Sequence, residues 1–299
     1  MLNFTYTSLT PCRLRTYLRQ QGISGTVYKA LRFQQGLTVN GVKNNRDVLL
    51  KQGDTVALTL PRENTTVVPT DGALTICYED DYLLVVDKAA GMLIHPTTLH
   101  ATGTLANLVA GYYQKHSIMA GLHPVSRLDK NTSGLVVFAK HAYLQYALSQ
   151  ANIYKEYLGI VQGTPEPWAS SILAPIARKP GSIIIREVNW QNGAPAHTDY
   201  EVVKSYQNIA LIKFILHTGR THQIRVHASY IGHPLVGDNL YGVPGPQSRH
   251  LLHAHYLAFI HPYTKEKITL TSPLPADMIT VLNQAKYAII NKDDNLKEE

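Results

Sequence analysis

The segment HPVSRLDKNTSGLVVFAK, His123 to Lys140, sets the strongest constraint on how this chain folds. Leu135 to Ala139 form a compact apolar run, the pattern of a buried strand. The ten residues ahead of that run hold Arg127, Asp129, Lys130, Asn131, Thr132, Ser133 and Gly134. Two explanations fit so polar an entrance to a buried strand. Asp, Asn, Ser and Gly are turn formers for local backbone reasons, and Gly134 can take a positive φ. Alternatively, Asp129 sits at the strand entrance inside a cleft and does chemistry there. The residues of this segment leave both open.

The pattern elsewhere surrounds that strand with others. LTICYED and YLLVVDK are apolar and β-branched, and SIIIREVNW, HTDYEVVKSY, IALIKFILHTG and KITLTSP also read as strands. TLANLVAGYYQKH and HAYLQYALSQANI have helical spacing. Strands follow strands more often than helices alternate with them. The expected class is therefore α+β, with a mainly antiparallel mixed sheet and a central cleft, rather than a doubly wound fold.

Ahead of this large domain, placed at residues 73–290, lies a smaller α/β module over residues 1–60. RLRTYLRQQGIS spaces Leu14, Tyr17 and Leu18 on one helical face, with Gly22 as the stop. A second helix starts after Ser24, a candidate N-cap, with Val27, Ala30 and Leu31 on its apolar face. LTVNG and DTVALTL then read as strands, the first ending in an Asn-Gly turn. Residues 61–72, PRENTTVVPTDG, read as a linker because prolines and turn formers interrupt any period. Residues 291–299 read as a polar, frayed tail.

Charge narrows the partners. The net charge of +7 is uneven, since residues 1–60 contain eight basic residues against two acidic ones. Among them, Arg15 and Arg19 share a helix face, and Lys29 and Arg32 lie on the second helix. Charge concentrated on a small module favours a polyanion. The two cysteines, Cys12 and Cys77, form no CxxC pair, which predicts a reducing compartment. The start of the chain lacks the pattern of a signal peptide, and no apolar run reaches membrane-span length, so a cytoplasmic location is expected.

A second crowded segment runs from Leu216 to Gly242, LHTGRTHQIRVHASYIGHPLVGDNLYG. It carries Arg220, Arg225, His217, His222, His227 and His233, and His253 and His255 follow later. The histidine spacing invites a metal, but HExxH and thiolate clusters are missing and carboxylates are scarce nearby, so no metal is expected. Phosphate-binding GxxxxGK[ST], dinucleotide GxGxxG and GxSxG signatures are also absent, and no cofactor is expected.

Taken together, RLDKNTSGL and TGRTHQIRVHASYIGHPLVGD resemble the RNA pseudouridine synthases of the large-subunit-rRNA/tRNA type, the RluA-like family. YEDDYLLVVDKAAGMLIHP, KEYLGIVQG and RHLLHAHYLAFIHP resemble further motifs of that family in the same order. Residues 1–60 resemble the S-four-like RNA-binding domain often fused ahead of it. Three departures stand out: Ser126 where the family often has His, Ala89 where proline is usual, and Arg15 where an acidic residue is common.

The resemblance implies isomerisation of specific uridines in rRNA or tRNA, with base flipping and without cofactor or metal. It implies Asp129 as the catalytic carboxylate, Arg225 as its guanidinium partner and Tyr157 beside the flipped base. It also implies Arg127 as the residue that fills the vacated space. Lys130, Arg15, Arg19, Lys29 and Arg32 are the expected phosphate contacts. A monomer without an obligate protein partner is expected.

Overall fold

The computed structural model describes residues 2–7, 9–60, 63–151 and 153–295. The first sixty residues hold β1 (Leu2–Thr5), β2 (Cys12–Arg13), α1 (Leu14–Gln20), α2 (Gly25–Phe33), β3 (Leu37–Val39), β4 (Val42–Lys43), β5 (Leu49–Leu50) and β6 (Thr55–Leu58). The strands pair in the order β1-β6-β3-β4, and β2 pairs with β5. α1 buries Leu14, Tyr17 and Leu18, as their spacing predicts, and Gly22, at φ +83°, stops it. The Ser24 hydroxyl accepts from the Val27 N–H and caps α2.

The rest of the chain builds one sheet with helices around it. Its elements are β7 (Thr75–Glu79), β8 (Leu83–Lys88), α3 (Leu105–Lys115), β9 (His123–Pro124), β10 (Ser133–Ala139), α4 (Ala142–Gln150), β11 (Tyr154–Gln162) and β12 (Ala169–Ile172). They continue with β13 (Ile176–Arg178), β14 (Arg186–Val188), β15 (Thr198–Ser205), β16 (Ile209–Leu216), α5 (Gln223–Tyr230), β17 (Leu252–Ile260), β18 (Lys267–Thr271) and α6 (Ala276–Asn295). Ten strands share a sheet of order β12-β15-β16-β11-β17-β10-β8-β7, with β18 on β17 and β9 on β10. β10 and β17 are parallel, whereas β10–β8, β11–β16, β11–β17 and β15–β16 are antiparallel. The class is α+β with a mixed, mainly antiparallel sheet, as the pattern predicts. Among the described residues, no helix is long and apolar enough to cross a membrane.

Side chains alternate along a strand, so a sheet covered on both faces needs apolar residues at every position, and Leu83–Val86 of β8 and Leu135–Ala139 of β10 supply them. Leu84, Val86, Val136 and Phe138 pack with α3 and α5 residues such as Val109, Tyr113, Ile224 and Ala228. Leu83, Val85, Leu135 and Val137 face the other way, onto Tyr143, Leu144 and Leu148 of α4. The same cluster takes in Leu14, Leu18, Val27 and Leu31 of the amino-terminal module. The module thus helps to cover one face of the central sheet, and its core is continuous with that of the larger domain.

Three stretches add to the sequence expectation or depart from it. The supposed linker is docked: the Glu63 carboxylate accepts from Ala142 N (3.0 Å), Asn107 Nδ2 donates to Val68 O (2.8 Å), and Thr70 N donates to Asn107 O (3.0 Å). Residues 61 and 62 of that stretch lie outside the described residues. In SIIIREVNW only Arg186–Val188 is strand. The Ser182 hydroxyl accepts from the N–H groups of Ile184 and Ile185, and this local turn competes with the ladder. The carboxy-terminal helix α6 continues to Asn295 instead of fraying at 291, while residues 296–299 lie outside the described residues.

The parallel seam between β10 and β17 fixes the strand entrance. Thr132 Oγ1 and His250 Nε2 are 2.8 Å apart, and Ser133 Oγ and His253 Nδ1 are 3.0 Å apart. Gly134, at φ +112°, lets the two backbones approach so closely that any Cβ would collide with the Ala254 peptide. Burial, then the nearby Arg225 charge, pushes the His250 pKa down to about 4. In the unfolded chain this imidazole takes up its proton near pH 6.5. Between these values the unfolded state binds a proton that the folded state refuses, so stability falls as the pH drops from 6.5 toward 4. The expected contribution is roughly 2–3 kcal/mol between pH 7 and 4.5. Urea unfolding of a His250→Gln variant at these two pH values should show a pH dependence smaller by that amount. An unchanged difference would mean His250 is not held neutral.

Candidate active site

Asp129 lies in the turn just ahead of β10, and several backbone groups of that turn are held. The Asp129 carbonyl accepts from Thr132 N (3.1 Å), which closes a turn. Lys88 Nζ donates to three carbonyls, those of Ala89 (2.9 Å), Met92 (2.9 Å) and Lys130 (3.0 Å). Its side chain is fully buried. Burial, then repulsion from Arg249, pushes the Lys88 pKa down to about 7, against an upward pull from Asp129. The three acceptors match the three hydrogens of the ammonium form. Arg249 Nη1 donates to Asn131 O (3.1 Å), and its Nε and Nη2 grip Asp277 of α6 (2.6 and 3.0 Å). The segment is thus a turn, as its composition predicts, and it presents the Asp129 carboxylate to Arg225.

The opposing wall is α5. His222 precedes the helix in the left-handed region, at φ +60° and ψ +20°. Gln223 ties the helix start in place: its Oε1 accepts from Arg220 N (2.9 Å), and its Nε2 donates to His197 O (3.0 Å) and Thr198 Oγ1 (2.9 Å). Arg225, further along the same turn, spreads its fork across two carboxylates. Nε and Nη2 donate to the two oxygens of Asp238 at 2.8 and 2.9 Å, and Nη1 donates to Asp129 Oδ2 at 3.1 Å. Segments 96 residues apart in sequence meet at that last bond.

Electrostatics follow from this sharing. Asp238 is wholly buried, which works to raise its pKa, yet Arg225 and the Leu240 N–H hold it below the ordinary carboxylate range. Burial disfavours the Arg225 charge, but Asp238 and then Asp129 outweigh it and raise its pKa. The Tyr241 ring lies 5.0 Å from the guanidinium. One guanidinium faces two carboxylates, so the group as a whole keeps one negative charge, and Asp129 is its more exposed member.

His222 completes the wall. The Tyr241 hydroxyl accepts from Arg186 N (2.9 Å) and sits 2.8 Å from His222 Nδ1. The other ring nitrogen, Nε2, lies 3.9 Å from Asp129 Oδ2. Burial lowers the His222 pKa despite the pull of Asp129.

Tyr157, on β11, is buried at 7% exposure. Burial, then the Asp129 charge, raises its pKa, so the phenol holds its proton at neutral pH. Arg127 and Lys130 are exposed on either side of Asp129 in the chain, and Arg15, Arg19, Lys29 and Arg32 are exposed on the two amino-terminal helices. The structure thus brings Asp129, Arg225 and Tyr157 together. It leaves the other six expected residues at the surface. Sequence reasoning did not single out Asp238, Lys88, His222 or Tyr241 for this site. Asp238 carried the one available signal, as the sole acid in an otherwise basic segment.

A profile of the RNA pseudouridylate synthase family matches residues 82–230, which span Asp129, Tyr157 and Arg225. The uncharacterized RNA pseudouridine synthase YjbO of Bacillus subtilis (strain 168) is 37% identical over 273 residues, covering 89% of this chain and 96% of that protein. The ribosomal large subunit pseudouridine synthase D of Nitrosomonas europaea is 39% identical over 223 residues, covering 70% of this chain and 64% of that one. Among solved structures, human RNA pseudouridylate synthase domain containing 1 superposes with a TM-score of 0.57 at 26% identity, covering 68% of this chain and 86% of that one. On this similarity and this fold, the chain belongs to the RNA pseudouridine synthase family, enzymes that isomerise uridine within RNA.

Proposed function

We propose that Asp129 is the catalytic carboxylate of this enzyme, that Arg225 keeps it ionised and aimed, and that Tyr157 packs against the uracil. One observation carries the reading: the 3.1 Å bond from Arg225 to Asp129, made by a guanidinium already fixed on Asp238. The reaction breaks the N1–C1′ bond and forms a C5–C1′ bond. C5 loses a proton, N1 gains one, and nothing is oxidised or hydrolysed. A carboxylate oxygen can attack the sugar or the base and leave again. In a cleft emptied of water, desolvation would push such a carboxylate toward its inert, protonated form. A fixed, permanently charged guanidinium opposes that. Tyr157 has its proton stabilised by burial and by the neighbouring carboxylate, which suits it to stacking rather than to abstracting the C5 proton.

The substrate in this reading is a structured RNA. Uridine there is stacked, so it must be extruded at a cost of a few kcal/mol. Arg127 is placed in the chain to occupy the vacated space, and Lys130 with the basic amino-terminal helices offsets the cost through phosphate contacts. Large-subunit rRNA is the favoured substrate, because the Nitrosomonas relative is named for it; tRNA is the alternative.

Release of tritium from RNA labelled at uridine C5 tests the catalytic assignment. Asp129→Asn should lower turnover by about a thousandfold or more, with RNA affinity within roughly threefold of the parent. Full turnover by this variant would remove Asp129 from the mechanism. The RNA-binding assignment needs charge substitution rather than deletion, because residues 1–60 share a core with the catalytic domain. Replacing Arg15, Arg19, Lys29 and Arg32 together by Gln should flatten the slope of log affinity against log salt by about 2–3. An unchanged slope would put these side chains away from RNA.

A further inference from the structure

The amino end of β15 and the carboxyl end of β16 carry a second cluster of chemistry-bearing residues, on the sheet face turned away from α5. Along a strand, alternate residues share a face. Thr198 points to α5, where its hydroxyl meets Gln223 Nε2 and His227 Nδ1, both at 2.9 Å. His197 and Asp199 therefore point the other way. In the antiparallel register Asp199 opposes Ile215 and Thr198 opposes Leu216, which sets His217 opposite His197. His217 N donates to His197 O at 3.2 Å and fixes that pairing. The two imidazoles stack, with centroids 4.0 Å apart and planes 18° from parallel.

Both rings turn the same nitrogen toward one carboxylate. His197 Nε2 lies 2.9 Å from Asp199 Oδ1, and His217 Nε2 lies 2.6 Å from Asp199 Oδ2. One ligand atom from each of the three residues falls within 4.8 Å of the others. The group is accessible, with side chains 33%, 33% and 44% exposed. Ser171 on the adjacent strand β12 donates its hydroxyl to Asp199 Oδ1 at 2.5 Å, so a neutral oxygen stands beside the cluster as well.

We propose that His197, Asp199 and His217 form a binding site for a divalent transition-metal ion of the zinc type. Two imidazole nitrogens and one carboxylate oxygen suit zinc and its borderline neighbours better than magnesium or calcium, which take oxygen ligands. Each histidine coordinates through Nε2 with its proton on Nδ1, and the two hydrogen bonds to Asp199 give way to metal bonds of about 2.0–2.2 Å. The side chains are partly exposed, so the stacked rings have room to splay and converge on the ion. A fourth position remains open to water or to the Ser171 hydroxyl.

The role that follows is mechanical. The ion clasps the ends of β15 and β16 at the point where the chain leaves the sheet for α5, whose helix carries Arg225. The site faces away from that helix, so the ion takes no part in the isomerisation. The histidine spacing within Leu216–Gly242 conceals this site, because two of its three ligands come from the neighbouring strand.

Zinc titration of the untagged, chelator-stripped full chain tests the proposal by calorimetry. The expected result is one saturable site per chain, a rise in melting temperature with zinc, and intense visible absorption when cobalt replaces zinc. His217→Gln and Asp199→Asn should each weaken binding by at least about thirtyfold and abolish the melting shift, whereas His100→Ala, at an exposed histidine elsewhere, should leave both unchanged. The wild-type titration reads the site without any substitution. Absence of a saturable site in the wild type, or zinc affinity that survives both ligand substitutions, overturns the proposal and leaves a hydrogen-bonded His-Asp-His group.

Discussion

The guanidinium of Arg225 is shared between two carboxylates, and the rest of the site is arranged around that sharing. Asp238 is buried and takes two of the three bonds, which fixes the plane of the fork. The remaining Nη1 then has one direction to point, and Asp129 stands there. A single Asp–Arg pair in a cleft would satisfy itself and could rotate as a unit. With Asp238 as the anchor, Arg225 is immobilised before Asp129 is considered, and it holds the Asp129 oxygen without neutralising the group. This is electrostatic preorganisation: the charge arrangement is set by folding and does not wait for the substrate.

The same logic governs the backbone on the other side of the cleft. Asp129 belongs to a turn, and turns are ordinarily the compliant parts of a fold. In this protein successive residues are tied to two segments: Lys130 to Lys88 of β8, and Asn131, Thr132 and Ser133 to Arg249, His250 and His253, in and just ahead of β17. Lys88 and Arg249 are buried cations whose partners are mostly main-chain carbonyls. Truncating either would leave several carbonyls unpaired in the interior, a heavier loss than one hydrogen bond. The parallel seam, the tight approach at Gly134 and these two cations convert a flexible connection into a rigid mount.

Much of this architecture was legible in the chain. The apolar run from Leu135 marked the central strand because every residue of β10 is buried, and helical spacing located α1, α2, α3 and α4. Asp129, Arg225 and Tyr157 were found through motif resemblance, and the fold brings them together. What stayed hidden depends on contacts between distant segments. Nothing local to Lys88 announces that its amine reaches the turn 42 residues later, and nothing local to His197 announces a partner in His217. Residues 63–72 form no regular element, in keeping with a linker, but their docking stayed hidden for a related reason. A turn-rich composition shows that a stretch forms no regular element, but not that Glu63 finds Ala142 or that Val68 finds Asn107. The isoleucines of SIIIREVNW look like a strand until Ser182 caps their N–H groups and exposes Ile183 and Ile184.

The shared guanidinium is tested most directly by replacing its fork with a point charge of the same sign. In Arg225→Lys, one ammonium cannot grip Asp238 at two points and still reach Asp129, so directional support of the Asp129 carboxylate is lost while the net charge is kept. The measurement is the single-turnover rate of pseudouridine formation at saturating enzyme, on protein whose circular dichroism matches the parent. The predicted rate is lower by about a hundredfold or more, with RNA affinity little changed. A rate close to that of the parent would show that positive charge alone suffices and that the two-carboxylate fork is not what the site depends on.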